Sequence, residues 1–437
     1  MAKKETYFPL KDVGKCCSNK WGWSTIWLNA GTTSSCHRVE QVPIDFNNFD
    51  NFHNLPKKIE DREKMLRGEW PHGSDKGNAL TADRENGCQY CQRIEESGGI
   101  SDRLQVNDQF NYESHINELE SDPMATHVTP TTVEIFAENT CNLRCIYCSA
   151  GLSSRIDDED KKFGPILFRG EHPLTPSKGN VDHAPLLMEK FLGWLDGNIQ
   201  SLARLHLLGG ETYIQHKLLE SVFDILERNP NPTLCLNIFS NFNAPRKYFY
   251  TYNERIKDLQ SRGHLQRFDL TFSIDCWGPQ QSYVRSGLDL DLAEEYWAWA
   301  CNEKIKGDDT DWLYLNINQT IGSMTIKTMP DLIEMIYKHS GDKLIGHYFS
   351  FLQGFSFQQA EIFDWSLWEE DFERILGSMK RDTENQQDAY DRMLGIRDTF
   401  KKHCKRNEIE IEKLHCYLDE LDRRRGTDWR SLFPYLK

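Results

Sequence analysis

Residues 140–150, TCNLRCIYCSA, hold three cysteines: Cys141, Cys145 and Cys148, spaced C-x3-C-x2-C. An odd number of thiols cannot all pair as disulfides. Clustered cysteines serve redox chemistry or bind metal. Zinc wants four ligands when structural and usually includes histidine when catalytic. Iron–sulfur clusters take one thiolate per iron, so three thiolates leave one iron of a 4Fe–4S cluster open to bind something else. The spacing points to such a cluster, with a zinc site or redox cysteines as the alternatives.

These residues must be held by something, and the surrounding texture says what. From about residue 130, short strand-like runs alternate with amphipathic stretches. TTVEIFAE leads into the cysteine loop; ARLHLLGG, TLCLNIFSN, RFDLTFSID, LYLNINQTIG and GHYFSFLQG follow. Between them PLLMEKFLGWLDGNI, KLLESVFDILERN, YNERIKDLQSRG, DLAEEYWAWACNEKI and MPDLIEMIYKHS have helical spacing. Alternating β and α predicts parallel strands joined by crossovers. Six units predict an α/β fold with a partial (β/α)6 TIM-like barrel, in which chemistry sits at the C-terminal ends of strands. The cysteine loop follows the first strand directly. Asn316, Asn318 and Thr320 share one strand face, as do Asp269, Thr271, Ser273 and Asp275. Polar residues facing inward predict an open cavity with a polar ligand; strands facing solvent are the alternative.

Residues 1–125 read as an irregular domain, with strand-like alternation in WGWSTIWLNAG and helical spacing in KKIEDREKMLRGEW. Residues 126–355 form the barrel, and the charged, Trp-anchored stretch 356–437 a helical C-terminal cap. The chain has 437 residues, 67 Asp and Glu against 52 Lys and Arg, and net charge −15. Nucleic-acid affinity is largely phosphate neutralisation, so this balance disfavours a nucleic-acid partner. No 18-residue apolar run predicts a membrane span. The N-terminus MAKKETYFPL lacks the apolar region of a signal peptide. Thirteen cysteines without secretion predict reduced thiols in a cytoplasm.

Residues 130–355 resemble the radical S-adenosylmethionine enzymes. The resemblance rests on the C-x3-C-x2-C motif with Tyr147 before its third cysteine, and on LLGGET one βα unit later. It implies that Cys141, Cys145 and Cys148 hold a 4Fe–4S cluster and that Gly209, Gly210 and Glu211 meet the amino group of S-adenosylmethionine. It further implies that Ser240, Asn241, Ser273 and Asp275 lie near the ribose and Arg285 near the carboxylate. The implied activity is one-electron cleavage of the cofactor to a 5′-deoxyadenosyl radical. That radical then takes a hydrogen atom from a small polar metabolite or a peptide side chain. An external electron donor such as flavodoxin or ferredoxin is the implied partner.

Upstream, KCCSNKWGW, SSCHR and NGCQYCQRIEESGG look like an N-terminal version of the twitch or SPASM-like auxiliary module. That likeness implies a second, auxiliary 4Fe–4S cluster on Cys17, Cys36, Cys88 and Cys91, serving oxidation or electron transfer. Cys16 or His37 could replace one of the four, and zinc is the alternative occupant. Cys235, Cys276, Cys301, Cys404 and Cys416 read as ordinary thiols. Cys276, beside Asp275, could also donate a hydrogen atom to a substrate radical, as epimerases need. Two rival functions remain open: a non-catalytic zinc or iron–sulfur scaffold, and a nucleic-acid-modifying radical enzyme.

Overall fold

The computed structural model describes residues 10–36, 39–71, 88–96, 98, 100–108, 122, 124–176, 183–304, 312–341, 343, 345–352 and 354–436. His37 lies outside them. The fold is mixed α/β, built on one nine-stranded sheet. Its strands are β1 (Trp23–Trp27), β2 (Thr32–Ser34), β3 (Val42–Pro43), β4 (Thr132–Phe136), β5 (Arg204–Leu208), β6 (Cys235–Ser240), β7 (Arg267–Ser273), β8 (Leu313–Ile321) and β9 (Ile345–Phe351). The strand order is β9-β8-β7-β6-β5-β4-β1-β2-β3. Strands β4 to β9 are the six expected from the alternating texture, parallel and in chain order.

The N-terminal segment adds to this sheet. β1 pairs in parallel with β4, Trp23 opposite Thr132, and turns back as a hairpin into β2. The sheet therefore continues across residue 125. The alternation in WGWSTIWLNAG is this hairpin.

Side chains alternate between the faces of a strand, and the register sorts the sheet cleanly. On one face Ile26, Val133, Ile135, Leu205, Leu207, Ile238, Leu270 and Leu315 are buried in a single core. That core also takes in residues of α6 (Ala184–Asn198), α7 (His216–Arg228), α8 (Arg246–Ser261), α9 (Leu290–Lys304) and α10 (Met329–Ser340). On the other face, Glu134, His206, Asn237, Asp269 and Tyr314 stand side by side on neighbouring strands. One step towards the C-terminal ends, Thr271 lies beside Asn316, and one step further Ser273 lies beside Asn318.

A second core gathers the chain after residue 355. It includes residues of the helices Glu369–Ser378 and Glu384–His403 and of α13 (Glu408–Arg425), the last helix of more than one turn. Helix α13 begins on Asn407, whose side chain accepts the N–H of Glu410, and ends on Gly426 in the left-handed region at φ 69°. Arg423, Arg424 and Arg425 in its last turn suit the negative end of the helix dipole. This core also contains Ile146 and Val284, so the C-terminal helices pack directly against the cysteine loop. A third, small core around Cys16, Trp21, Met65 and Cys88 belongs to the N-terminal residues. No helix of the described residues is long and apolar enough to cross a membrane.

Candidate active site

The chain leaves β4 at Phe136 and enters the loop that carries Cys141, Cys145 and Cys148, at the C-terminal end of the strand. Its shape depends on the next strand end. The N–H groups of Gly210 and Glu211 donate to Glu138 O at 3.0 Å and Thr140 O at 2.8 Å. This approach needs glycine. A Cβ on Gly210 would lie 2.0 Å from Thr140 O, and one on Gly209, at φ +106°, 2.6 Å from Glu138 O. Ser153 donates to Leu143 O at 2.7 Å and caps the helix Ser154–Phe163, while Cys141 N–H donates to Ser154 Oγ at 3.1 Å. Arg144 and Cys145 pair with Ser286 and Arg285 in a two-residue antiparallel ribbon.

Burial raises all three thiols. Burial pushes Cys141 up to about 12, with the charge of Cys145 adding to it. Cys148 is raised by burial and then by Cys145 and Cys141. Leu143 N–H points at Cys141 Sγ, 3.5 Å away. Among the described residues, no three His, Cys, Asp or Glu side chains converge as a single metal ion requires.

Beside this loop Glu211 is fully buried. It accepts from Ser240 Oγ at 2.8 Å, from Asn241 N–H at 2.7 Å and from Tyr213 N–H at 3.2 Å. Burial raises its carboxyl to about 7, against the lowering effect of those three donors. A carboxylate offers about four acceptor directions, so one is left. Ser240 thus spends its hydroxyl proton on Glu211. The Asn241 side chain donates to Asn142 Oδ1 at 2.9 Å, tying the end of β6 to the cysteine loop.

Asp275 and Arg285 meet each other. Arg285 grips the Asp275 carboxylate with Nε at 2.8 Å and Nη2 at 3.1 Å, and Tyr147 donates its hydroxyl to the same carboxylate. Thr320 N–H adds a fourth donor at 3.0 Å. Both partners are buried, and the Arg285 guanidinium lies 5.7 Å from the Tyr147 ring centre. Ser273, half-buried, sits at the strand end above this pair. Cys276 is fully buried, and its thiol points to Gln281 Oε1 at 3.2 Å.

Tyr147 lines a small pocket together with Ile146, Val284, Thr320, Thr325 and Gln358 among others. Gln358 is 1% exposed; its Nε2 donates to Ile146 O at 3.0 Å, and its Oε1 is buried without a hydrogen-bond partner. Sequence reasoning passed over Gln358, Tyr417, Arg425 and Glu159, all of which touch the loop or its supports. No spacing marks them, because they reach the loop from the far end of the chain or through a surface helix.

The N-terminal cysteines also gather. Cys17 precedes α1 (Ser18–Gly22), Cys36 follows β2, and Cys88 and Cys91 lie at the start of α3 (Gln89–Glu96). Burial raises the Cys17 thiol, and the charges of Cys36, Cys88 and Cys91 raise it further. The four are therefore within electrostatic reach of one another. The Ser101 hydroxyl donates to Glu95 Oε1 at 2.6 Å, beside Arg103, which grips the same carboxylate. Cys16 turns into the small core, where its carbonyl takes Arg103 Nη1 at 2.9 Å and Asn107 Nδ2 at 3.0 Å. Two buried cations flank the group: Lys20, paired with Asp61 at 2.5 Å, and Arg103, paired with Glu95 at 2.6 Å. Burial works to lower the Lys20 amine, but Cys88, Asp61 and Cys36 together hold it above its ordinary value.

No family model matches the chain, and no curated protein matches it. Among solved structures, the chain is similar to SuiB from Streptococcus suis. SuiB bound to its precursor peptide SuiA is 10% identical, over 80% of this chain and 66% of that one, at TM-score 0.36. SuiB bound to S-adenosylmethionine is 11% identical over 85% and 67%, at TM-score 0.31. A further SuiB structure is 12% identical over 80% and 65%, also at 0.31. The chain spans about two thirds of the SuiB length it matches.

Proposed function

We propose that this chain is a radical S-adenosylmethionine enzyme. In this reading residues 126–355 curl as a partial barrel around the reaction, residues 1–125 carry a twitch-like auxiliary cluster, and 356–437 cap the cysteine loop. One observation carries it: three thiols share the loop after the first of six parallel strands, and the backbone of that loop is hydrogen-bonded to a Gly-Gly-Glu turn, with Glu211 buried, at the end of the second. A 4Fe–4S cluster fits the donor set, since each iron takes its own thiolate and the thiols need not converge on one ion. With S-adenosylmethionine it supplies one-electron cleavage of the sulfonium and a radical that abstracts hydrogen.

The chain's own residues then have definite tasks. Glu211 offers its remaining acceptor direction to the cofactor amine. Ser240 and Asn241 hold Glu211 in place, a positioning role beside the one the resemblance implies. Arg285 has five N–H donors and commits two to Asp275, leaving donors for a carboxylate. Tyr147 closes the apolar side. The polar sheet face, from Asn237 and Asp269 out to Ser273, Asn318 and Thr320, suits a polar substrate: a small metabolite or a peptide side chain. The N-terminal group, four thiols with Lys20 and Arg103 beside them, suits an anionic cluster that accepts an electron from the substrate radical. Hydrogen donation by Cys276 would require Gln281 to move aside. An external flavodoxin or ferredoxin would supply the first electron, in a cytoplasmic setting.

The test is metal and product. Anaerobically reconstituted protein should hold about eight irons and eight sulfides, two 4Fe–4S sites. With Cys141, Cys145 and Cys148 all changed to Ala, about four should remain and 5′-deoxyadenosine formation should vanish. Tightly bound zinc without iron, or intact clusters that never cleave S-adenosylmethionine, would favour the scaffold reading instead.

A further inference from the structure

The carbonyls of both residues adjacent to Cys145, Arg144 and Ile146, are held by residues from the C-terminal end of the chain. Arg425 Nη1 donates to Arg144 O at 3.1 Å, and Tyr417 donates its hydroxyl to Ile146 O at 2.6 Å. Gln358 Nε2 adds a second donor to Ile146 O at 3.0 Å. Tyr417 and Arg425 lie on the same helix, α13. Arg425 is itself clamped by Glu159, with Nε at 3.0 Å and Nη2 at 2.8 Å, and the side chains of this pair are 4% and 5% exposed. Glu159 is shared, because Arg144 Nη1 approaches it at 3.3 Å. Two guanidiniums thus share one carboxylate next to Cys145. On the other side Arg285, paired across the ribbon with Cys145, is balanced by Asp275.

We propose that α13 is a clamp on the three-cysteine loop, and that Arg425 is a positioning residue whose buried charge sets how readily the group at Cys145 takes up an electron. The inference rests on the reading that this loop holds an iron–sulfur cluster. Its physics is direct. A charge withdrawn from water is poorly screened, and cluster potentials respond to net charge, hydrogen bonding and exposure around the sulfurs. A positive charge favours the more negative, reduced state. Arg425 therefore raises the potential, and Glu159, which offsets it, lowers the potential.

The experiment is a dithionite redox titration of full-length protein, followed by electron paramagnetic resonance. The signal that changes on adding S-adenosylmethionine identifies the cluster with the open iron. Arg425→Met should shift its midpoint to more negative potential, Arg425→Lys should recover most of the shift, and Glu159→Gln should shift it to more positive potential. Opposite signs are the decisive feature. A loop that was merely loosened would lose iron in both variants without moving their midpoints apart. Unchanged midpoints, or shifts of the same sign, would overturn the proposal. If Arg425→Met does not fold, Glu159→Gln decides alone: a potential that stays or falls overturns it. Wild-type protein with no cofactor-responsive iron–sulfur signal would instead sink the underlying reading, and the clamp's redox role with it.

Discussion

Gly210 and Glu211 are consecutive residues with opposite demands. Gly210 matters for what it lacks. Gly210→Ala would drive a methyl group to 2.0 Å from Thr140 O, and this contact is backbone, so the loop bearing Cys141 must move. Overpacking of this kind costs about 1–3 kcal/mol. Thermal unfolding should register that loss, and iron analysis a depleted three-cysteine site. Glu211 matters for its charge. Its carboxyl is raised by burial to about 7, above the ordinary value near 4.5. The stability it contributes is therefore fully present below about 4.5 and is lost as pH rises through 7. Binding a cationic amine reverses the preference, because the amine needs the carboxylate. Affinity for S-adenosylmethionine should then rise between pH 6 and 8 in wild type and stay flat in Glu211→Gln. The variant should bind about 10- to 150-fold more weakly, the worth of a charge-assisted contact of about 1.5–3 kcal/mol. Equal affinity, with clusters intact, would mean that the amine lies elsewhere. Calorimetry across pH measures both effects.

Among the elements, α1, β2 and α3 bring the N-terminal thiols near one another, Cys17, Cys36 and Cys88 lying at their ends and Cys91 on α3, so the proposed site requires three separate elements to dock. Changing Cys88 and Cys91 to Ala removes the contribution of α3 alone. The three-cysteine loop proposed to hold the open iron is a different segment, so slow reductive formation of 5′-deoxyadenosine with dithionite should persist. Turnover of the true substrate should be lost, since its radical could not be resolved. Far-UV circular dichroism and residual iron must be checked first, because a metal site is also a cross-link and its loss can unfold the segment around it. Normal turnover by the folded variant would make the N-terminal group a structural staple.

Across the whole molecule, the second core links the C-terminus to the chemistry. Trp429 is 1% exposed, stacks on His415 and donates its indole N–H to Asp419 Oδ1 at 2.8 Å. Truncating a buried Trp costs about 3–5 kcal/mol. Because Ile146 belongs to the same core, Trp429→Ala should release iron from the three-cysteine site on warming before the N-terminal site loses its own. Iron release followed against temperature, beside circular dichroism, checks the order.

Much of this architecture was written locally. The six parallel strands and the five longest helices between them follow from apolar periodicity, which needs no knowledge of partners. The polar face of β7 and β8 was legible for the same reason: period two puts Thr271, Ser273, Asn316 and Asn318 on one side wherever the strands go. The hairpin at residues 23–34 announced itself by alternation, but not its place beside β4, which depends on which sheet edge is free. The pairing of Asp275 with Arg285 and the turning of Ser240 to Glu211 were not legible either. Each residue carries a donor or acceptor that suits a ligand equally well, and only proximity assigns it to a neighbour. The same holds for the cysteines. Spacing marked Cys141, Cys145 and Cys148, because one loop carries all three. The likeness to an auxiliary module also names Cys17, Cys36, Cys88 and Cys91, but that Cys16 turns into the small core with Trp21, its carbonyl taken by Arg103, is decided by packing. The hold of Tyr417 and Arg425 on the loop spans more than 270 residues. A contact at that separation leaves no periodic trace, since it is made by docking one helix against one loop.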